Sequence, residues 1–184
     1  MKRLVLLIII FTFHSSVNSE PADKVNHLKK IVLEYTVLHS FKKVTGVCTT
    51  PIIEGLEIDF KSGEYEVLKP FSISCDFKNL KSGNNNRDSH MLEILNYPKE
   101  NLIQIQILKT ERKNQSYTFD AKIILNGISD TKEIQGNLKK SEKEDLIIEG
   151  NFPISLSKFK VERPSLLFIS IQDEISIRFQ VTLE

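Results

Sequence analysis

The feature that most constrains this chain is a strict alternation near its C-terminus. Ile175, Ile177, Phe179, Val181 and Leu183 alternate with Glu174, Ser176, Arg178, Gln180 and Thr182. Successive side chains of a strand point to opposite faces, so five unbroken apolar–polar pairs describe an extended segment with one buried side. A helix would scatter the same apolar residues around its circumference. The pattern recurs along the chain. Ile103, Ile105 and Ile107 alternate with Gln104 and Gln106, and Tyr117, Phe119, Ala121, Ile123 and Leu125 alternate with Thr118, Asp120 and Lys122. Phe71, Ile73, Cys75 and Phe77 form another set, as do Leu56, Ile58 and Phe60, and Ile31, Leu33, Tyr35 and Val37. Leu146, Ile148, Gly150, Phe152 and Ile154 mark a late strand, and weaker signals cover 44–49 and 128–138. Lys61-Ser62-Gly63-Glu64, Asn126-Gly127 and the polar run 139–145 supply the turns between them. About eight or nine short strands, each with one apolar face, predict an antiparallel sandwich or closed barrel.

One stretch departs from period two. Between Gly83 and Pro98 the residues read as a short helix over about 84–96, capped by an Asn, with Asp88 in the first turn. Met91, Leu92 and Leu95 then share a face, and Pro98 ends the run. A helix placed there is expected to cover a barrel mouth. A second short helical turn is expected near 157–161, ahead of Pro164.

The N-terminus reads as an address. Lys2 and Arg3 precede an apolar run, Leu4 to Phe13, and small or polar residues follow up to Ser19. This is the order of a secretory leader, with cleavage expected after Ser19. The apolar run rises only about 15 Å as a helix, roughly half a hydrocarbon core. Residues 20–184 then form the exported domain, and the expected location is the periplasm, or the exterior where no outer membrane exists. The domain has 23 basic and 24 acidic side chains. That balance provides no bulk positive field for nucleic acid. Cys48 and Cys75 are the only cysteines. In an oxidising compartment they either bond to each other or stay as buried thiols.

Residues that carry chemistry are sparse. His27, His39 and His90 lie far apart and match no metal-binding spacing, so no metal or catalytic site is predicted. Asp88, Ser89 and His90 are consecutive and cannot present triad geometry to one another. Arg87, Asp88 and His90 therefore read as a helix-cap motif or as a polar clamp at a ligand entrance. The inward faces are almost purely aliphatic and aromatic. Such faces suit a chain-shaped apolar ligand, whose binding scales with buried area, and suit a filled core equally well.

The run Leu80-Lys81-Ser82-Gly83-Asn84-Asn85-Asn86-Arg87-Asp88-Ser89-His90-Met91-Leu92-Glu93-Ile94-Leu95, followed by Tyr97-Pro98, resembles the signature of YceI-like proteins. His39 through Gly46, Leu125 through Ser129, and Phe152 through Leu167 with Asp173 through Ile177 resemble three further family stretches. The turn at 128–133 departs from the pattern, because it lacks the Thr-Lys-Pro common in relatives. The resemblance implies an all-β, lipocalin-like, eight-stranded antiparallel barrel. It implies a non-enzymatic protein that needs no cofactor and holds a polyisoprenoid or similar long-chain amphiphile in its lumen, such as an isoprenoid quinone or fatty-acid derivative. A dimer is compatible with the family. Under that reading the ligand-facing residues are Phe71, Ile73, Phe77, Met91, Leu92, Leu95, Ile103, Ile105, Ile107, Phe119, Ile148, Phe152, Ile175, Ile177 and Phe179. The alternative is a filled barrel with a structural, stress-related or protein-partner role and no lipid cargo.

Overall fold

The computed structural model describes residues 27–184 except 41, 62–63, 114–115 and 167. The expected leader, residues 1–19, lies outside the described residues. In chain order the strands are β1 (Leu28–His39), β2 (Lys42–Cys48), β3 (Ile52–Glu54), β4 (Ile58–Lys61), β5 (Glu64–Val67), β6 (Phe71–Asp76) and β7 (Leu80–Lys81). Helix α1 (Asn85–Ile94) follows. The chain continues through β8 (Leu102–Lys113), β9 (Ser116–Leu125), β10 (Ile128–Lys140), β11 (Leu146–Ser155), β12 (Ser165–Leu166), β13 (Ile169–Ser170) and β14 (Glu174–Leu183).

Ten of these segments form one antiparallel sheet in the order β3-β6-β8-β9-β10-β11-β14-β1-β2-β7. Ten segments appear where eight strands were expected because two strands are each broken once. β2 and β3 are separated by 49–51, and β6 and β7 by the 3-10 turn Phe77–Asn79. β2 pairs with β7 while β3 pairs with β6, so the two broken strands run alongside each other. Thr49 N–H donates to Asn79 carbonyl at 2.9 Å and extends this pairing into the gap. Read across their interruptions, the eight strands return to their starting point, and the sheet curls into a barrel. The seam carries a disulfide, Cys48–Cys75, with the two Cα atoms 6.2 Å apart. Of the two states open to the cysteines, the structure holds the bridge.

Strand parity places the core as the alternation predicts. Ile103, Ile105 and Ile107 on β8, Phe119, Ala121 and Ile123 on β9, and Ile175, Ile177 and Phe179 on β14 are all buried. A bulge between Ile107 and Lys109 shifts the β8 register and leaves Leu108 exposed. At Asn126-Gly127 both residues have positive φ, 51° and 68°, as a tight hairpin between β9 and β10 requires. Leu56, Ile58 and Phe60 do not form one barrel strand. β4 pairs only with β5, and this separate hairpin caps one end of the barrel. Ile58 is buried beneath it, and the Tyr117 hydroxyl donates to the Tyr65 carbonyl at 3.1 Å.

The opposite end is covered by α1 and by residues 156–173. Asn84 caps α1, its side chain accepting from Arg87 N–H at 2.9 Å. The expected turn near 157–161 is a hydrogen-bonded turn, with Val161 N–H donating to Leu156 carbonyl at 2.9 Å. Phe159 within it is fully buried, and Asn126 holds its carbonyl at 3.0 Å. Asp173 fixes the base of the segment. It accepts from the Ser155 hydroxyl at 2.6 Å and from Ser157 N–H and hydroxyl, both at 2.9 Å.

Candidate functional site

The barrel interior is divided into two unlike halves. Towards the β4–β5 cap, Phe119 and Phe179 meet edge to face with centroids 6.0 Å apart. Each ring lies against a glycine on a neighbouring strand. A Cβ on Gly150 would fall 2.6 Å from the Phe179 ring, and one on Gly136 would fall 2.5 Å from the Phe119 ring. The glycines thus make room for two rings that plug this half of the lumen.

Towards α1 the same strands leave a cavity of about 210 Å³. Its wall is almost entirely carbon. Leu33, Val37 and Val44 come from β1 and β2, Ile154 from β11, and Ile175 and Ile177 from β14. Met91 and Ile94 close it from α1 and Leu95 from the position just after the helix, and Leu156, Val161, Pro164 and Ile171 close it from the 156–173 segment.

Of the residues expected to face a ligand, Phe77, Met91, Leu95, Ile103, Ile175 and Ile177 border this cavity. Phe71, Ile73, Ile105, Ile107, Phe119, Ile148, Phe152 and Phe179 are buried but do not border it. Leu92 packs half-buried on α1 away from the cavity wall. Several wall residues were not among those expected. Leu33, Tyr35, Val37, Leu125 and Ile154 belong to recognised strands, and their place on the apolar side of each alternation was the available signal. Leu156, Val161, Pro164 and Ile171 lie outside any periodic pattern.

Four polar residues border the cavity. Arg87 and His90 stand on α1 and Glu34 and Tyr35 on β1, and the Glu34 carboxylate is engaged by Arg178 at 2.8 Å. Arg87 is aimed by the loop before its own helix. Its Nε donates to the Ser82 hydroxyl at 2.7 Å and its Nη2 to the Ser82 carbonyl at 2.8 Å. Buried Asp88 completes the arrangement, accepting from Ser82 N–H at 3.0 Å and from the Ser82 hydroxyl. The helix-cap residues therefore have two jobs. Asp88 pins the loop to the helix, and Arg87 is held at the cavity edge. His90 Nδ1 lies 3.2 Å from a Glu93 carboxylate oxygen on the outer surface of α1. Tyr35 lies flat over Gly46, where any Cβ would overlap its ring. Burial, and secondarily the negative charge of Asp88, push the Tyr35 phenol above its ordinary value. It therefore remains a neutral O–H at ordinary pH.

Comparison with known proteins settles the family. The sequence model of the YceI-like domain matches residues 11–183, nearly the whole chain. The chain belongs to the YceI-like family. No curated protein sequence matches it. Its fold is similar to that of Burkholderia cenocepacia BcnA, with a TM-score of 0.69, 11% identity, and 83% of this chain and 95% of that chain covered. It is also similar to a polyisoprenoid binding domain from Saccharophagus degradans implicated in plant cell wall breakdown. There the TM-score is 0.63 at 10% identity, covering 89% and 96% of the two chains. The Campylobacter jejuni YceI protein gives a TM-score of 0.60 at 16% identity, covering 96% and 99%. At these identities the likeness to the solved structures is one of fold. The broken seam strands, α1 and the closing segment are thus parts of a YceI-like barrel.

Proposed function

We propose that this YceI-like protein is an exported carrier that holds a polyisoprenoid or similar long-chain amphiphile without making or breaking bonds. One observation carries the reading, the carbon-walled cavity of about 210 Å³ beneath α1. An apolar chain in such a cavity gains roughly 0.8 kcal/mol per buried methylene. Arg87 supplies a cation and Tyr35 a neutral donor, which suit a head group bearing carbonyl or phosphate oxygens. The polyisoprenoid-binding neighbour and the leader-like residues 1–19 support the same reading.

The cavity is smaller than the roughly 300–1,000 Å³ of pockets that enclose drug-sized ligands. A long chain therefore requires α1 or the 156–173 segment to move outward. The filled-barrel alternative describes the half of the lumen plugged by Phe119 and Phe179, and only that half. The deciding experiment is mass spectrometry of an organic extract of protein purified without detergent from the exported fraction. A stoichiometric isoprenoid, quinone or acyl species is expected. A clean extract from folded protein that also ignores added lipids would overturn the carrier reading in favour of the filled barrel.

A further inference from the structure

The β12–β13 hairpin projects beside the cavity mouth and carries an apolar tip that the fold does not use. Phe168, in its turn, is fully exposed and has a φ of 66°. A bulky residue in the left-handed region is strained, and this ring buries nothing in return. Ile169 and Leu38 beside it are also exposed. The β1–β2 turn and the hairpin are tied together. Gln172 N–H donates to Leu38 carbonyl at 2.9 Å, and His39 Nε2 lies 2.9 Å from Ile169 carbonyl. The two tips therefore act as one surface.

That surface is basic as well as apolar. Lys42 and Lys43 are exposed at the start of β2, while Arg163, ahead of the hairpin, is ion-paired with Asp173 at 4.0 Å and adds little. The sequence has no acidic residue between Glu34 and Glu54, nor between Glu162 and Asp173, in a chain whose charges otherwise nearly balance. The base of the hairpin is part of the cavity, because Pro164 and Ile171 line it and are joined by a 3.0 Å backbone hydrogen bond.

We propose that these two tips dock on an anionic lipid bilayer. Phe168 and Ile169 enter the interface, Lys42 and Lys43 meet head-group charge, and the cavity mouth faces the membrane. An exposed aromatic flanked by lysines matches the physics of interfacial binding, where apolar burial and attraction to anionic lipid add together. The proposal rests on the carrier reading for its purpose, but its test does not depend on any bound cargo.

The test is co-sedimentation of the exported protein with vesicles of phosphatidylcholine mixed with phosphatidylglycerol, and with vesicles of phosphatidylcholine alone. Binding to the mixed vesicles is expected, weakened by salt. Phe168→Asp is expected to weaken it about tenfold or more. Lys42→Glu with Lys43→Glu is expected to remove the preference for the anionic vesicles. All forms share one N-terminus, so the residues ahead of β1 contribute equally to each. Wild-type protein that stays in the supernatant, or variants that bind as well as wild type, would overturn the proposal. So would a lipid-free dimer, seen by sedimentation, that Phe168→Asp dissociates while no form binds vesicles, since the tip would then be a contact between copies. Phe168 is outside the cavity wall, so Phe168→Asp should leave any extracted lipid unchanged. Vesicle binding by a protein with a clean extract would leave docking standing and remove only the carrier reading.

Discussion

The barrel interior is built from the same strands throughout, yet it is close-packed around Phe119 and Phe179 and hollow beneath α1. In the solid half, Phe119 and Phe179 each lie against a glycine of an adjacent strand, Gly136 and Gly150. In the hollow half, aliphatic side chains such as Ile175 and Ile177 border open space. The difference teaches that occupancy of a small barrel is decided by pairs across neighbouring strands. A large ring needs a missing side chain beside it, and where that match is absent the wall stays a wall.

The contrast can be broken most forcefully at Phe179. Phe179→Ala is expected to cost about 3–5 kcal/mol, because it removes a ring seated in a close-packed plug. Urea denaturation followed by circular dichroism measures it. Reduction of Cys48–Cys75, or paired Cys→Ala changes, is expected to cost about 3 kcal/mol by freeing the unfolded chain. Ile177→Ala, on the cavity wall, should cost about 2 kcal/mol or less, since part of the side chain has no packing partner to lose. Equal losses at Phe179 and Ile177 would erase the distinction between the halves. Val44→Phe fills space rather than creating it, so its stability change should stay within about 1.5 kcal/mol. The same change is expected to weaken uptake of a fluorescent acyl or prenyl probe about tenfold. Unchanged uptake would show that the cavity is not where the chain lies.

The halves also differ in how they meet pH, and here the expected effects are smallest. The Ser155 hydroxyl, and then the Ser157 backbone, hold the Asp173 carboxyl below its ordinary value. A carboxyl depressed in the folded state adds stability that is present above its ordinary value, about 4, and is lost as pH falls through the folded value. The 156–173 segment should therefore loosen only in acid, and Asp173→Asn should flatten that limb of a thermal-melting profile. Tyr35 works in the opposite direction. Its raised value adds stability present below about 10 and lost as pH rises further, a limb that Tyr35→Phe should remove. The residues that plug the solid half do not titrate, so truncations there should shift both limbs equally.

Much of this architecture is legible in one dimension. Period two reports which side of each strand is buried, and it does so at Ile103–Ile107, Phe119–Ile123 and Ile175–Phe179 alike. The Asn84 cap and Pro98 bracket α1 because both act locally on the backbone. Depth along the barrel axis is another matter. Ile105 and Ile103 are two residues apart on the same face, yet only Ile103 reaches the cavity. Their roles depend on the register of neighbouring strands and on where the glycines fall, and alternation within a single strand contains neither. In the closing segment the turn near 157–161 was legible, but the cavity-facing placement of its side chains was not, for a different reason. Leu156, Val161, Pro164 and Ile171 are placed by hydrogen bonds to Asp173, Asn126 and Leu38, without a repeating pattern.

The clasp at the seam has a mechanical consequence. A barrel widens most readily where its ladder of hydrogen bonds is interrupted, and here the interruption is bridged by Cys48–Cys75, close to the cavity-lining Phe77 and Leu80. While the sulfurs remain joined, the girth of the vessel is set covalently. Accommodation of a bulkier guest then falls to the stopper, α1 and the 156–173 segment, rather than to the staves.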